Sequence, residues 1–338
     1  MRQTLLRLVP ILLMLLLAGC AQVRPYRALK LAHGLPTTHP VHQAMAYMAE
    51  RCEFHSGGKL RIDIYPSQQL GTERECLELL QIGSIAITKV SAAILENFAP
   101  NTKVLGLPYI FRSREHQFEV LDGPIGKRLL EEPQAFLLRG LCFYDAGSRS
   151  FYTKEKPVRT PDDLTGLKIR VMESQTAKDM VNGLGGSATP ISYGELYSAL
   201  QQGVVDGAEN NPPSFYTSRH YEVCKYYALN EHSAVPDVLI ISTIIWDQLS
   251  EEEKGWLQQA VDESVPYQRD LWAASEQESL EAVQAAGVEV IRPDKQPFMD
   301  KISHILESYR DQPELYDLIQ QIQAVKAPVD TLAADSPN

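Results

Sequence analysis

Leu60, Ile62 and Ile64 alternate with Arg61 and Asp63, the period-two pattern of a strand with one buried face. Similar logic divides the chain on either side. Leu29–His33 predicts a short apolar strand. Val41–His55 predicts a helix, ended by Ser56-Gly57-Gly58. Thr72 followed three residues later by Glu75 is a capping box. It opens a predicted helix Glu73–Ile82 that stops at Gly83, and Ser84–Val90 predicts the next strand. This strand–helix order implies a parallel sheet covered by helices, with ligands at the carboxyl ends of the strands. His33, and Lys89 with Ser91, fall at such ends, and Glu73 opens a helix beside one.

A second unit starts near Gly147. Arg149–Thr153 and Leu167–Val171 predict strands, and Thr176–Leu184 predicts a helix broken at Gly185-Gly186. Ala188–Ile191 predicts a strand, Tyr193–Gln202 a helix and Val204–Glu209 a strand, before Pro212-Pro213 forces a new start. Val238–Ile245 reads as a buried strand. After Ser250 a helical pattern runs to about Ala286, long enough to act as a strut across both units. No internal repeat or low-complexity block occurs, and the tail from Lys326 to Asn338 reads as disordered.

The N-terminus changes the compartment. Arg2 and Arg7 precede an apolar run, Leu8–Ala18, of about eleven residues, whereas a membrane span takes about 20; the pattern is a secretory signal. Leu17-Ala18-Gly19-Cys20 resembles the bacterial lipobox, which implies cleavage after residue 19, lipidation of Cys20 and a tether over residues 20–28. Export allows disulfides, but Cys52, Cys76, Cys142 and Cys224 show no CxxC or metal spacing, and their state stays open.

Formal charge is −11, or −13 once Arg2 and Arg7 leave with the signal (30 basic against 43 acidic). That acidity disfavours nucleic acid and anionic lipid as partners, without excluding a small anion held by local cations. There is no GxSxG, HExxH, P-loop or strand-following GxGxxG, so no enzyme class is indicated and no cofactor or metal is expected. The eight histidines are scattered, and His39 and His42, though close, read as surface residues. Asp162-Asp163, beside Thr160-Pro161, reads as a solvated turn.

Two arginines stand out. Arg149 opens a strand between Ser148 and Ser150. Arg170 lies inside the apolar strand Leu167-Lys168-Ile169-Arg170-Val171, where an uncompensated charge costs several kcal/mol. Either an ion pair answers that charge, or Arg170 is a bidentate clamp for a ligand carboxylate.

Three stretches carry a resemblance: Ile64-Tyr65-Pro66-Ser67-Gln68-Gln69-Leu70-Gly71, Leu164-Thr165-Gly166-Leu167-Lys168-Ile169-Arg170-Val171, and Tyr197-Ser198-Ala199-Leu200-Gln201-Gln202-Gly203-Val204-Val205-Asp206-Gly207-Ala208-Glu209-Asn210. In order from about Leu29 to Tyr309, the chain resembles the solute-binding proteins of tripartite ATP-independent periplasmic (TRAP) transporters, C4-dicarboxylate-binding type. The resemblance implies a two-lobed periplasmic-binding fold, each lobe a mostly parallel sheet flanked by helices, with one long helix spanning both. It implies a first lobe of residues 29–146 with about 236–272, and a second of 147–235 with about 273–325. It places Arg170, Arg149 and Asn210 on a ligand carboxylate and Tyr193 against the ligand, while Glu73, Lys89 and His33 of the other lobe face its far end.

The function implied is capture of a small organic acid by a monomer in the periplasm or on the cell surface. The acid would pass to small and large membrane subunits driven by an ion gradient. The ending Glu209-Asn210-Asn211-Pro212-Pro213 departs from the common Glu-Asn-Pro. Its extra Asn211, with Glu73 and Lys89, offers partners for hydroxyls and leans towards a uronate or aldonate. A C4-dicarboxylate such as succinate or malate is the alternative, with Lys89 or His33 taking its second carboxylate. Presentation to a sensor protein is the rival to transport.

Overall fold

A computed structural model of the chain describes residues 26–327, so the signal, Cys20 and the tail beyond Ala327 lie outside the described residues. The chain begins with β1 (Arg27–Ala32), α1 (Pro40–His55), β2 (Leu60–Tyr65), α2 (Glu73–Gln81), β3 (Ile87–Ser91) and α3 (Ala92–Leu95). A 3-10 turn at Pro100–Gly106, α4 (Arg114–Asp122) and α5 (Pro124–Glu131) then lead to β4 (Leu138–Tyr144) and β5 (Arg149–Thr153). Next come β6 (Lys168–Val171), α6 (Gln175–Gly183), β7 (Ser187–Pro190), α7 (Leu196–Gln201), β8 (Gly207–Asn210), α8 (Pro212–Thr217) and β9 (Tyr226–Ser233). The last part holds β10 (Asp237–Ser242), α9 (Thr243–Trp246), α10 (Glu251–Ala285), β11 (Glu289–Ile291), α11 (Gln296–Glu307) and α12 (Pro313–Ala324).

Two sheets result, ordered β2-β1-β3-β10-β4 and β11-β9-β5-β8-β6-β7. The sheets are mixed: three of the five pairings in the second are parallel, as expected, whereas the first divides evenly between parallel and antiparallel. β1 pairs parallel with β2 and β3, but β10 returns from late in the chain and pairs antiparallel with both β3 and β4. In the second sheet β5 is antiparallel to both β8 and β9, while β6 is parallel to β7 and β8. β10 is buried along its whole length, as a continuous apolar run covered on both faces requires.

Several boundaries move. Arg27 and Ala28, expected in the tether, already pair with Leu60 and Arg61. The apolar run expected as one strand, Val238–Ile245, starts at Asp237 and ends at Ser242, and α9 takes the rest. Tyr193–Glu195 is a 3-10 turn ahead of α7. Ala327, expected in the disordered tail, is buried.

α10 is the expected strut. Ser250 and Glu253 form a capping box, and three glutamates in the first turn favour the helix N-terminus. Its 35 residues reach about 52 Å at 1.5 Å per residue, enough to pack on α1 and β4 of one lobe and α8 of the other. Gln268 pins it to the crossover between the lobes, accepting from Asp145 N and donating to Asp145 O, each at 2.8 Å. No helix among the described residues is long and apolar enough to cross a membrane.

Candidate functional site

Between the sheets lies a cavity of about 700 Å³, its mouth included, within the range of small-molecule sites. Both lobes place strand ends there. β6 and β8 run parallel, with Arg170 opposite Ala208, so Arg170 and Asn210, two residues further on, both arrive near the carboxyl ends of these strands. β5 runs the other way, and its first residues meet the end of β8, Ser150 opposite Asn210. Arg149 therefore joins the same corner.

The two arginines differ in company. Arg149 Nε and Nη2 hold both carboxylate oxygens of Glu209, at 2.5 and 2.8 Å, and Nη2 also donates to Glu209 O. Nη1 donates to Asn210 Oδ1 at 2.8 Å. Burial opposes both charges of this pair, and their mutual attraction overcomes it: Arg149 is raised, and Glu209 is held down to about 2. His232 adds a contact to Glu209 at 3.4 Å. Four of the five N–H groups of Arg149 are engaged within the protein.

Arg170 is as deeply buried, at 2% exposure, yet no carboxylate among the described residues pairs with it. Nε donates to Ile191 O at 2.8 Å, and Nη1 has no partner. Desolvation pushes this guanidinium below the usual arginine range, with Arg149 adding repulsion. Asn210 is oriented for the same task. Its Oδ1 accepts from Arg149 Nη1 and from Asn211 N, which leaves the Nδ2 donor unengaged among the described residues. The corner offers the Arg170 fork, one Arg149 N–H and the Asn210 amide, all donors, and so matches an anion that only accepts.

The opposite end belongs to the first lobe. Lys89 near the end of β3 donates to Glu73 at 2.9 Å and to Asp237 at 3.2 Å. Glu73 also accepts from Ser91 N. Burial opposes the Lys89 charge, but the two carboxylates outweigh it and raise Lys89 above its ordinary value. Burial pushes Asp237 up to about 6. Lys89 is thus already neutralised, and the expectation that it takes a second ligand carboxylate meets an occupied cation.

Of the expected site residues, Arg170, Arg149, Asn210, Tyr193, Glu73 and Lys89 all line the cavity. His33 does not. It is 1% exposed, its Nδ1 accepts from Leu35 N and its Nε2 contacts His42 at 3.0 Å, so it packs within the first lobe. His39, expected at the surface, is buried on the cavity wall, where Nδ1 caps α1 through Val41 N. That fixes the proton on Nε2, which donates to Ser214 Oγ of the other lobe at 3.2 Å. Burial, with Lys89 nearby, keeps His39 neutral. Asn211 lines the wall too, but its Oδ1 caps α8 through Ser214 N and its Nδ2 holds Ala146 O. Asn211 is a cap and crossover clasp, not the hydroxyl partner expected.

Asp237 and Gln68 are among the wall residues that sequence reasoning missed. Asp237 opens an apolar run, and only the antiparallel register of β10 sets it opposite Ser91. Gln68 lies in the first quoted motif. Ser67 and Gln68 are both left-handed, with φ of 54° and 59°, and the strained turn lays the Gln68 side chain against Gly194 of the other lobe. The four cysteines are buried and unpaired, and burial raises the thiols of Cys52 and Cys224 to about 12. No group of three or more potential metal ligands occurs among the described residues.

Comparison with known proteins agrees with this fold. The family described as bacterial extracellular solute-binding protein, family 7, matches residues 31–312. The protein YiiZ of Salmonella typhimurium is 36% identical over 300 residues, 88% of this chain and 91% of that one. A TRAP periplasmic solute-binding protein of Bradyrhizobium, solved with α/β-D-galacturonate, is 41% identical, with a TM-score of 0.86 over 88% of this chain and 100% of that one. A second, from Pseudomonas putida F1 with bound D-glucuronate, is 37% identical, with a TM-score of 0.85 over 89% of this chain and 98% of that one.

Proposed function

The chain belongs to family 7 of the bacterial extracellular solute-binding proteins, and from that premise we propose that its cavity captures a uronate and delivers it to the membrane subunits of a TRAP transporter. One observation carries the reading: among the described residues, Arg170 is a buried guanidinium with no paired carboxylate and an unpartnered Nη1. A ligand carboxylate supplies the missing charge. The galacturonate and glucuronate bound by the two similar solved proteins support a sugar acid over a dicarboxylate. So does the prior neutralisation of Lys89 by Glu73 and Asp237.

The mechanism is capture without chemistry. Arg170 and the remaining Arg149 N–H hold the carboxylate, the Asn210 amide sets its angle, and Tyr193 closes over the sugar. The Tyr193 hydroxyl is held by Ser218 at 2.6 Å, and its ring packs against the first-lobe core, so it travels with one lobe and seals against the other. Further hydrogen bonds join the lobes, and two of them lie at Ser214 and at Glu96. Ser214 meets His39, and the Glu96 carboxylate accepts from Thr176 N at 3.2 Å and Thr176 Oγ1 at 2.7 Å at the start of α6. Closure strips water from the carboxylate and strengthens each charge-assisted bond.

We infer lobes of residues 29–146 with 236–272 and 147–235 with 273–325, a division supported by the sheet each strand joins. Anchoring through a lipidated Cys20, in the periplasm or at the cell surface, and a monomeric state complete the proposal, with no catalytic step.

Calorimetry of a soluble form starting after Cys20 tests it. D-galacturonate and D-glucuronate should bind with succinate far weaker. Binding of succinate alone would restore the dicarboxylate reading. A ligand at 100 times its Kd should add about 2.7 kcal/mol to thermal stability.

A further inference from the structure

Resting on the sugar-acid reading and deepening it, we propose that the first-lobe end of the cavity is a charge filter: Glu73 and Asp237, bracketing Lys89, accept a ligand's hydroxyl end and reject a second carboxylate. The selected class is then the monoanionic sugar acid, against diacids of the same length.

The argument is one of charge and of hydrogen-bond sign. Lys89 brings one positive charge, and Glu73 and Asp237 bring two negative ones, so the buried cluster is net −1. The ammonium has three N–H groups, of which two are engaged by the carboxylates. Asp237 Oδ1 takes one of those bonds, and Oδ2 makes none among the described residues. The cluster therefore presents one donor beside one acceptor. A hydroxyl satisfies both, accepting from Lys89 and donating to Asp237. A carboxylate can only accept, and its charge would lie beside two like charges in a site that excludes water.

Neighbouring groups do not reverse this balance. Arg74 also borders the cavity, but its guanidinium is half exposed, paired with Glu78 at 3.4 Å and placed over the Phe98 ring. Glu173 on the other rim carries the opposite charge. His39 and His33 are held neutral by burial. The Arg149 charge is committed to Glu209.

D-gluconate and D-glucarate separate the terms, because they share an open chain and differ only in a terminal hydroxymethyl against a carboxylate. Calorimetry at neutral pH would measure both, with D-glucuronate alongside, on the wild type, on Asp237→Asn, and on Glu73→Gln/Asp237→Asn. These take the cluster from net −1 to zero to +1 with little change in shape, and thermal melting verifies that each variant folds. The wild type should bind glucarate at least about 100-fold weaker than the tighter of the two monoanions, since like-charge juxtaposition costs several kcal/mol. Asp237→Asn should narrow that gap by about tenfold or more, and the double variant should reverse it. A wild type that binds glucarate as tightly as the monoanions, or a gap unchanged in both variants, overturns the filter and leaves the uronate reading standing. Failure of the wild type to bind D-gluconate, D-glucuronate or D-galacturonate sinks that reading, and the filter with it.

Discussion

Arg170 at one end of the cavity and Lys89 at the other are both buried cations, but among the described residues only Lys89 of the two is ion-paired with carboxylates. Each charge has lost its water. At the Lys89 end, Glu73 and Asp237 replace that solvation, and the cluster is complete before any ligand arrives. At the Arg170 end no such carboxylate is hydrogen-bonded among the described residues, although Arg149, two strands along the same sheet, is paired with Glu209. A paired buried cation belongs to the folded state. An unpaired one is a binding site held at some cost to stability, and the difference separates framework from ligand contact more sharply than burial does.

The largest effect that could break this contrast is in stability. Lys89→Met should destabilise the protein by about 3–5 kcal/mol, because it strands two carboxylates together. Arg170→Met should leave the unliganded melting temperature unchanged or raise it. Urea unfolding of the two variants measures both, and equal losses would erase the distinction.

Next in size is the response to acid. Glu209 has a folded value of about 2, below its ordinary 4.5, so its contribution is complete above the ordinary value and is lost as pH falls towards 2. The loss is about 3 kcal/mol. Asp237 has the opposite sign. Raised from 3.8 to about 6, it binds a proton more readily folded than unfolded, so its penalty is relieved as pH falls from 6 to 4. As pH falls, thermal melting should show stability increasing from about 6 to 4, where Asp237 titrates, and then falling towards 2, where Glu209 does. Asp237→Asn should flatten the upper arm, and Glu209→Gln should remove its share of the lower one.

Smaller effects sharpen the account of the clasps. Asn211→Ala should cost about 1 kcal/mol of stability through the lost α8 cap, with ligand selectivity unchanged. A shifted preference among uronates would return Asn211 to the ligand. Glu96→Gln should weaken ligand binding by about 0.5 kcal/mol, the scale of one charge at a helix N-terminus, read by calorimetry as a lower affinity.

Much of this was legible in the sequence, and the gaps have physical causes. Arg170 announced itself because a charge inside an apolar strand breaks the local pattern. The α2 cap was legible because a capping box is written within four residues. The pairing of Arg149 with Glu209 was not, since the partners are 60 positions apart and meet only through the β5–β8 register. Asp237 and Lys89 are 148 apart and needed the antiparallel return of β10. β9 was missed because its buried positions include Asn230 and His232, which blur the alternation of a strand. The stretch from α3 to α5 was not segmented because its helices are short and joined by 3-10 turns, leaving no sustained period. His39 was misread because a histidine ahead of a helix looks solvated until the second lobe covers it.

Calorimetry of D-galacturonate and D-glucuronate with the wild type, Arg170→Ala and Arg170→Lys tests the central claim most directly. Arg170→Ala should lose about 2–5 kcal/mol of binding, the scale of removing one partner of a buried charge pair. Arg170→Lys should recover only part of it, because a point charge cannot reproduce the fork. Affinity unchanged in Arg170→Ala, with the protein folded, would contradict the account.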